Sequence, residues 1–227
     1  MIAMKKTFAF LLFFSVLSIA SAQEIQTVFG RGRSTGGYVA FSNKFTTIGG
    51  DFANLSEVYG GAFINKQLMV GFGVAGSTNN IRVPQQYSVS PMQPMTYQYG
   101  QGGMMLEYVI GSNRAAHLVF NMFGGVGFTA QYDRYSWHMD NYQLDSHDEN
   151  WFYVLEPGAQ LEMNLFRWLR LSPGVSYRNT YGSNALGLDD VDLSNWSYNI
   201  TLKIGSFGRR HDRRHWRSHE QSPADEN

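Results

Sequence analysis

Residues 151–179 read WFYVLEPGAQLEMNLFRWLRLSPGVSYRN, and this stretch decides the fold class. Apolar and polar residues alternate in its first half, as in a strand whose two faces meet different surroundings. One face carries Tyr153, Leu155, Pro157, Ala159, Leu161, Met163 and Leu165, and the other carries Glu156, Gly158, Gln160, Glu162 and Asn164. Phe166-Arg167-Trp168 then predicts a tight turn. We therefore expect a β-hairpin with one apolar and one polar face.

Seven runs besides 151–165 have strand character. The eight runs are 36–45, 55–64, 68–77, 96–110, 115–132, 151–165, 169–179 and 195–207. The eighth alternates clearly, with Tyr198, Ile200, Leu202 and Ile204 against Ser197, Asn199, Thr201 and Lys203. The fifth does so as well, with Leu118, Phe120, Met122, Val126 and Phe128 against Asn121, Gly125, Gly127, Thr129 and Gln131. For the first two runs, the sequence does not decide which set of alternate residues faces outward.

The connections between the runs alternate between short and long. Three are tight, three are long and polar, and the first, 46–54, is of moderate length. Bacterial transmembrane barrels have short periplasmic turns and long outer loops. A sheet that crosses a bilayer must also close, because every backbone N–H and C=O needs a partner there. The sequence predicts an all-β fold: a closed antiparallel up-and-down transmembrane β-barrel of about eight strands.

The N-terminal segment has the three parts of a secretory signal peptide. Lys5 and Lys6 are the positive region, 8–19 is apolar, and Ala20-Ser21-Ala22 offers small residues to a signal peptidase. The apolar run is shorter than the roughly 18 residues that span a bilayer as a helix. We expect cleavage before Gln23, which divides the chain into a signal peptide (1–22), a barrel (23–207) and a tail (208–227).

Composition excludes several function classes. The 18 Lys and Arg balance 18 Asp and Glu, and cleavage would remove Lys5 and Lys6, so no broad basic surface is left for nucleic acid. The chain has no cysteine, which rules out disulfides, thiol redox chemistry and cysteine-ligated zinc. No cofactor is expected. Packing and backbone pairing must supply the stability.

The polar face of the hairpin carries charges of both signs. If the turn places Leu165 opposite Leu169, Glu156 lies opposite Arg178, and Glu162 lies diagonal to Arg170. Such pairs would fix the register inside a narrow polar interior. Glu107, Gln160 and Lys203 are expected to join this lumen network, with partners that the sequence does not assign. A structural plug is favoured over an ion-conducting site, since an eight-stranded interior is usually filled by side chains.

Three features carry a resemblance to a known class: the signal peptide, the segment from Leu155-Glu156-Pro157-Gly158 to Tyr177-Arg178, and the aromatic end of the last run at Phe207. The layout is similar to small outer-membrane barrels of the OmpA/OmpX type and their uncharacterised relatives. The resemblance covers nearly the whole mature chain and implies the outer membrane of a Gram-negative bacterium. It departs from the family pattern at the end, where twenty residues, 208–227, follow Phe207.

Catalytic and metal sites find little support in the pattern. Six residues of strand separate Glu156 from Glu162 by roughly 20 Å, too far for a glycosidase pair. Gly124-Gly125-Val126-Gly127 lacks the spacing of a phosphate loop and is read as close strand packing. The loop at 133–150 contains His138, Asp140, Asp145, His147 and Asp148, but no motif that fixes a triad or metal site.

The tail combines arginines with His211, His215 and His219, which are weak candidates for a metal site if the segment is helical. A disordered periplasmic basic tail is favoured, since no apolar stripe supports a helix. Its use would be loose contact with anionic lipid or cell-wall groups.

The predicted function is a non-enzymatic outer-membrane protein, structural or acting in surface interactions through its outer loops. A narrow channel or small-solute transporter, a lipid-modifying enzyme and a soluble lipocalin-like barrel remain alternatives. An interfacial aromatic belt is expected from residues at the loops, namely Tyr97, Tyr99, Tyr132, Tyr135, Trp137, Tyr142 and Trp151. Outer-membrane lipid is the expected partner, and the surface ligand stays open.

Overall fold

The computed structural model describes residues 36–64, 67–112, 114–133 and 147–207. The strands in these ranges are β1 (Gly37–Ile48), β2 (Asp51–Phe63), β3 (Leu68–Ser77), β4 (Ile81–Arg82), β5 (Met95–Ile110), β6 (Ala116–Asp133), β7 (His147–Asn164), β8 (Leu169–Tyr177), β9 (Asn179–Tyr181) and β10 (Trp196–Ser206). The connections contain a 3₁₀ turn at Gln85–Tyr87 and a short helix, α1 (Asp190–Leu193). Within the described ranges, no helix is both long and apolar enough to span a bilayer.

The eight long strands form a closed ring. Their order is β3-β2-β1-β10-β8-β7-β6-β5, and β5 pairs back onto β3. The chain-terminal strands β1 and β10 are antiparallel neighbours, with Phe41 opposite Leu202. The short strands β4 and β9 extend the sheet by pairing with β5 and β7. The predicted closed antiparallel barrel of eight strands is confirmed.

The connections define two ends of the barrel. We call the end with the connections 64–67, 111–115 and 165–168 the turn end, and the opposite end the loop end. The moderate loop predicted at 46–54 was wrong, because β1 and β2 meet through Gly49 and Gly50 alone. Both glycines have positive φ, 58° and 82°, which a two-residue hairpin turn requires and which matches the strand twist. The alternation of short and long connections is therefore not strict.

Pairs of inward glycines let neighbouring strands approach closely. Gly61 faces Gly71 across β2 and β3, and Gly103 faces Gly125 across β5 and β6. A Cβ atom on Gly103 would lie 2.4 Å from the Gly124 carbonyl oxygen and 2.6 Å from the Gly125 Cα. The glycine run at 124–127 thus serves close strand packing, as its sequence indicated.

Candidate functional site

The charged face of each strand lies inside the barrel. On β7, Glu156 and Glu162 are 2% and 1% exposed, whereas Leu161 is 46% exposed. For β1 and β2, the sequence did not decide which face points inward, and the structure places Lys44 of β1 and Glu57 of β2 inside as well. A soluble lipocalin-like barrel would have the opposite polarity, with an apolar interior and a polar exterior, so that alternative is wrong.

The interior charges are balanced. Among the described residues, the buried ionisable side chains other than tyrosine are Glu57, Glu107, Glu156, Glu162, Lys44, Arg170, Arg178, Lys203 and His117. The four carboxylates therefore match the Lys and Arg side chains one for one. Buried charges are tolerated when they are paired and hydrogen-bonded, and most of these fall into two clusters.

The turn-side cluster consists of Glu107, His117, Glu162, Arg170 and Lys203. Lys203 Nζ lies 2.8 Å from Glu107 Oε2 and 2.8 Å from Glu162 Oε2, so it joins the two carboxylates. Arg170 forms an ion pair with Glu162, and His117 Nε2 lies 2.8 Å from the same carboxylate. The hydroxyls of Tyr38 and Tyr59 donate to Glu107.

The loop-side cluster consists of Lys44, Glu57, Gln101, Glu156 and Ser176. Lys44 Nζ lies 2.8 Å from Glu57 and 3.0 Å from Glu156. Gln101 Nε2 donates to Glu156 at 3.2 Å, and the Ser176 hydroxyl donates to the same carboxylate. The donors to each carboxylate come from other strands, an arrangement that can help to set the strand register.

The predicted register of β7 and β8 is confirmed, since Asn164 lies opposite Arg170 and Gly158 opposite Ser176. Glu162 meets Arg170 diagonally and accepts a hydrogen bond from Ser172, as that register implies. Glu107 and Lys203, whose partners the sequence did not assign, pair with each other. Gln160 is buried between the two clusters.

The expected Glu156–Arg178 ion pair was wrong. Arg178 Nε donates to the Leu193 carbonyl at 2.6 Å, its Nη2 donates to the Thr47 carbonyl at 3.3 Å, and its guanidinium lies 4.8 Å from the Tyr99 ring centroid. Strand β8 ends at Tyr177, so the Arg178 side chain reaches toward the loop end. Lys44 from across the barrel takes its place at Glu156.

Sequence reasoning missed Lys44, Glu57, Gln101 and His117. The signal for Lys44 was present, because Tyr38, Ala40, Ser42, Lys44 and Thr46 alternate with Val39, Phe41 and Phe45. Phasing that run on its charged residue would have placed Lys44 inside. Its pairing with Glu156 could not be predicted from sequence, since the two residues lie 112 positions apart in the chain.

Apolar residues occupy both ends of the interior. At the loop end, Leu188 and Leu193 are fully buried, and the Tyr97 hydroxyl donates to the Leu186 carbonyl at 2.6 Å. At the turn end, the Phe207 ring lies 5.4 Å from the Tyr38 ring, and the Arg170 guanidinium lies 3.6 Å from the Phe207 centroid. Apolar side chains therefore lie at both ends of the interior, and others, such as Met105 and Phe123, each 1% exposed, lie inside as well.

The outer surface carries exposed apolar side chains along the strands. Trp151 is 65% exposed, as expected for a belt residue, and other outward aromatic residues near the loop end are Phe45, Phe52, Tyr153, Tyr181, Trp196 and Tyr198. The assignment of Tyr97 and Tyr99 to this belt was wrong, because both point inward and are 2% and 0% exposed. Their odd numbers share the inward phase of Glu107 on β5. Tyr135, Trp137 and Tyr142 lie outside the described residues.

The metal candidates His211, His215 and His219 lie outside the described residues, as do His138, Asp140 and Asp145. In the part of the chain that is described, no group of three or more His, Cys, Asp or Glu side chains could hold a metal ion. Asp148, at the start of β7, accepts a hydrogen bond from the Leu186 amide at 2.8 Å.

Solved structures share this architecture. Neisserial surface protein A matches with a TM-score of 0.54 and 7% identity over 75% of this chain and 96% of that protein. The N-terminal β-barrel domain of Pseudomonas aeruginosa OprF matches with a TM-score of 0.46 and 11% identity over 77% of this chain and 99% of that domain. No protein-family model matches the sequence, and no curated protein matches it.

At such low identity, the likeness to the Neisserial protein concerns the fold alone. The resemblance to small outer-membrane barrels that the sequence suggested is confirmed at that level. The likeness does not extend to the side chains of the two interior clusters.

Proposed function

We propose that this protein is a non-enzymatic barrel of a Gram-negative outer membrane, that its lumen is plugged, and that its outer loops carry its interactions. The observation that supports this most directly is the polarity of the wall. Phe41, Phe72 and Ile200 are 52%, 71% and 53% exposed on the outside, while the balanced charges lie inside. Apolar surface costs about 25 cal/mol per Å² in water, so lipid is the medium that suits this exterior.

The packing of the interior supports a plug. Ions would have to pass two apolar layers, at Leu188 and Leu193 near the loop end and at Phe207 near the turn end. Between them, Lys44 and Lys203 each bridge two carboxylates at 2.8–3.0 Å. An ion could pass only if these paired charges separated in a low-dielectric interior, which is costly.

The loops at the loop end support a role in surface interactions. The connection 78–94 surrounds a cavity of about 330 Å³ that Arg82, Pro84, Pro91 and Met92 help to line. Gln131 fixes this loop by donating to the Tyr87 carbonyl at 2.9 Å and accepting from the Val89 amide at 3.2 Å. Because these hydrogen bonds hold the loop in one conformation, the loop presents a defined surface outside the membrane.

Membrane fractionation and planar-bilayer recording test the proposal. The protein should remain in the outer-membrane pellet, show heat-modifiable mobility, and conduct no more than the lipid alone. A Leu188→Ala, Leu193→Ala double variant is the matched comparison, since it thins the loop-end layer. Recovery in the soluble fraction would refute the membrane location.

The second candidate is a narrow channel, favoured by the charged and polar side chains that lie in the interior from Arg178 to His117. Sustained wild-type conductance that disappears on replacing Glu156 or Arg178 would establish it and refute the plug. Activity of the purified barrel on lipid substrates would instead refute the non-enzymatic role.

A further inference from the structure

The two ends of the barrel carry surface charges of opposite sign. Among the described residues, the exposed and half-buried carboxylates all lie at the loop end, and they are Asp51, Asp133, Asp148, Glu149, Asp189, Asp190 and Asp192. The described part of the turn end has no exposed carboxylate, and its exposed cations are Arg114 and Arg167. Neither arginine forms an ion pair with a described residue. The turn end therefore offers two cations that the described chain does not neutralise.

The two arginines lie on neighbouring turns that are tied together. The Arg114 amide donates to the Gly111 carbonyl at 2.9 Å and closes the turn between β5 and β6. Asn164, three residues before Arg167, joins this turn to the next one. Its amide donates to the Ala115 carbonyl at 2.9 Å, and its Nδ2 donates to the Arg114 carbonyl at 2.8 Å. Both arginines therefore belong to one connected part of the turn end.

An exposed pair of aromatic rings flanks Arg167. Phe166 and Trp168 are 61% and 55% exposed, and their rings stack with centroids 5.8 Å apart and planes 11° apart. The Trp168 carbonyl accepts from the Gly205 amide at 2.9 Å, which holds this turn against β10. The outward apolar face of β7 ends directly before it, at Leu165. Tryptophan beside such a face is typical of the membrane–water interface, where phospholipid headgroups lie.

The chemistry of this surface selects a lipid with net negative charge. We call Arg114, Phe166, Arg167 and Trp168 the turn-end rim. A guanidinium can donate two parallel hydrogen bonds to phosphate oxygens, and it is attracted most to a headgroup whose phosphate no amine neutralises. We propose that the turn-end rim binds anionic phospholipid of the periplasmic leaflet in preference to zwitterionic phospholipid. This rests on the proposed function, because it requires that the outer wall of the barrel meet lipid.

Quenching of Trp168 fluorescence by brominated lipid measures lipid preference at this surface. The full chain is placed in phosphatidylcholine vesicles in which part of the lipid is replaced by brominated phosphatidylglycerol or, separately, by brominated phosphatidylcholine. The difference between each protein and its Trp168→Phe counterpart isolates Trp168 from the other tryptophans. We expect phosphatidylglycerol to bind beside Trp168 more tightly than phosphatidylcholine, by about fivefold for each contributing arginine.

Replacing each arginine tests whether its charge causes the preference. Arg114→Gln and Arg167→Gln keep a polar side chain at an exposed position, and each should lower the preference about fivefold. Arg82→Gln is the matched control, since Arg82 is an exposed arginine at the loop end, and it should leave the preference at Trp168 unchanged. In vesicles of phosphatidylcholine alone, neither turn-end variant should change the free energy of unfolding, because no headgroup there carries a net negative charge.

The possible failures are distinguishable. Equal quenching by the two brominated lipids in the folded native chain would overturn the turn-end rim as a site and leave the membrane location standing. An equal loss of preference in Arg82→Gln, or a preference that soluble glycerol phosphate removes, would also overturn it. Absence of quenching by either lipid would refute the lipid-facing wall together with the site. If a variant lacks the heat-modifiable folded band, the comparison of the two lipids on the native chain still decides.

Discussion

Replacing Lys203 by methionine should destabilise the barrel strongly. Lys203 is fully buried, and its ammonium contacts Glu107 and Glu162 at 2.8 Å each. Methionine has a similar length and fills the same space, so the substitution removes the charge and leaves the packing nearly unchanged. The change isolates the electrostatic contribution of one buried cation.

The magnitude follows from the charges that remain. Without Lys203, the turn-side cluster keeps Glu107 and Glu162 but only Arg170 to balance them. An uncompensated buried charge costs about 3–5 kcal/mol. Adding Glu107→Gln restores the balance, and the hydroxyls of Tyr38 and Tyr59 can still donate to the new amide oxygen. The two substitutions should therefore couple by about 0.5–3 kcal/mol in the favourable direction.

Reversible urea unfolding from lipid vesicles, followed by tryptophan fluorescence, measures these free energies. Arg167→Met at the exposed turn is the matched control for removal of a cation and should stay within about 0.5 kcal/mol of wild type. The reasoning fails if Lys203→Met changes the unfolding free energy by less than about 1 kcal/mol. It also fails if the double variant is as unstable as the sum of the single variants.

Three other substitutions test separate parts of the structure. Gly103→Ala would place its Cβ 2.4–2.6 Å from the backbone of β6 and should abolish the heat-modifiable folded band. Gly102→Ala, with its Cβ 3.6 Å from Val74 Cγ1, should fold normally, and equal behaviour of the two variants on gels would contradict the close approach of the strands. Ile200→Arg, on the outward face of β10, should lower the free energy of unfolding in urea by about 2–4 kcal/mol if that face meets lipid. Val191→Arg on α1, where the side chain is 82% exposed, should leave that free energy almost unchanged, and similar losses for both variants would argue against lipid at Ile200. Arg178→Met should release the segment 178–195 and speed its proteolysis roughly 10- to 150-fold, because about 1.5–3 kcal/mol of hydrogen bonding to the Leu193 and Thr47 carbonyls is lost. An unchanged cleavage rate relative to Arg167→Met would refute that role.

The faces of the later strands could be predicted from sequence because side-chain direction in a strand repeats every two residues. Leu161 outward and Glu162 inward on β7 follow from that period and from the choice of an apolar exterior. The register of β7 and β8 was also predictable, because a short turn between Leu165 and Leu169 leaves the ladder little freedom. The signal peptide and the tail remain predictions.

Other features escaped sequence reasoning for identifiable reasons. The hairpin at Gly49 and Gly50 escaped prediction because the first run was ended at Phe45 and the second begun at Leu55, although Gly-Gly is itself a signal for a two-residue hairpin. Tyr97 and Tyr99 were placed in the outer belt because aromatic residues beside loops commonly lie there, although their numbers share the inward phase of Glu107. For the two tyrosines, applying the phase of Glu107 to the whole strand would have been enough.

Composition and alternation along the chain by themselves determined a closed antiparallel sheet with its charges inside, since burial on one face imposes a local pattern of period two. The tertiary structure alone decided which charges on non-adjacent strands meet. Lys44 reaches Glu156 across 112 residues, and Lys203 reaches Glu107 across 96, because closure brings the inward faces of non-adjacent strands together in one narrow interior. A contact of that kind leaves no periodic trace in the chain, which is why Arg178 could be placed beside Glu156 in register and yet bond elsewhere.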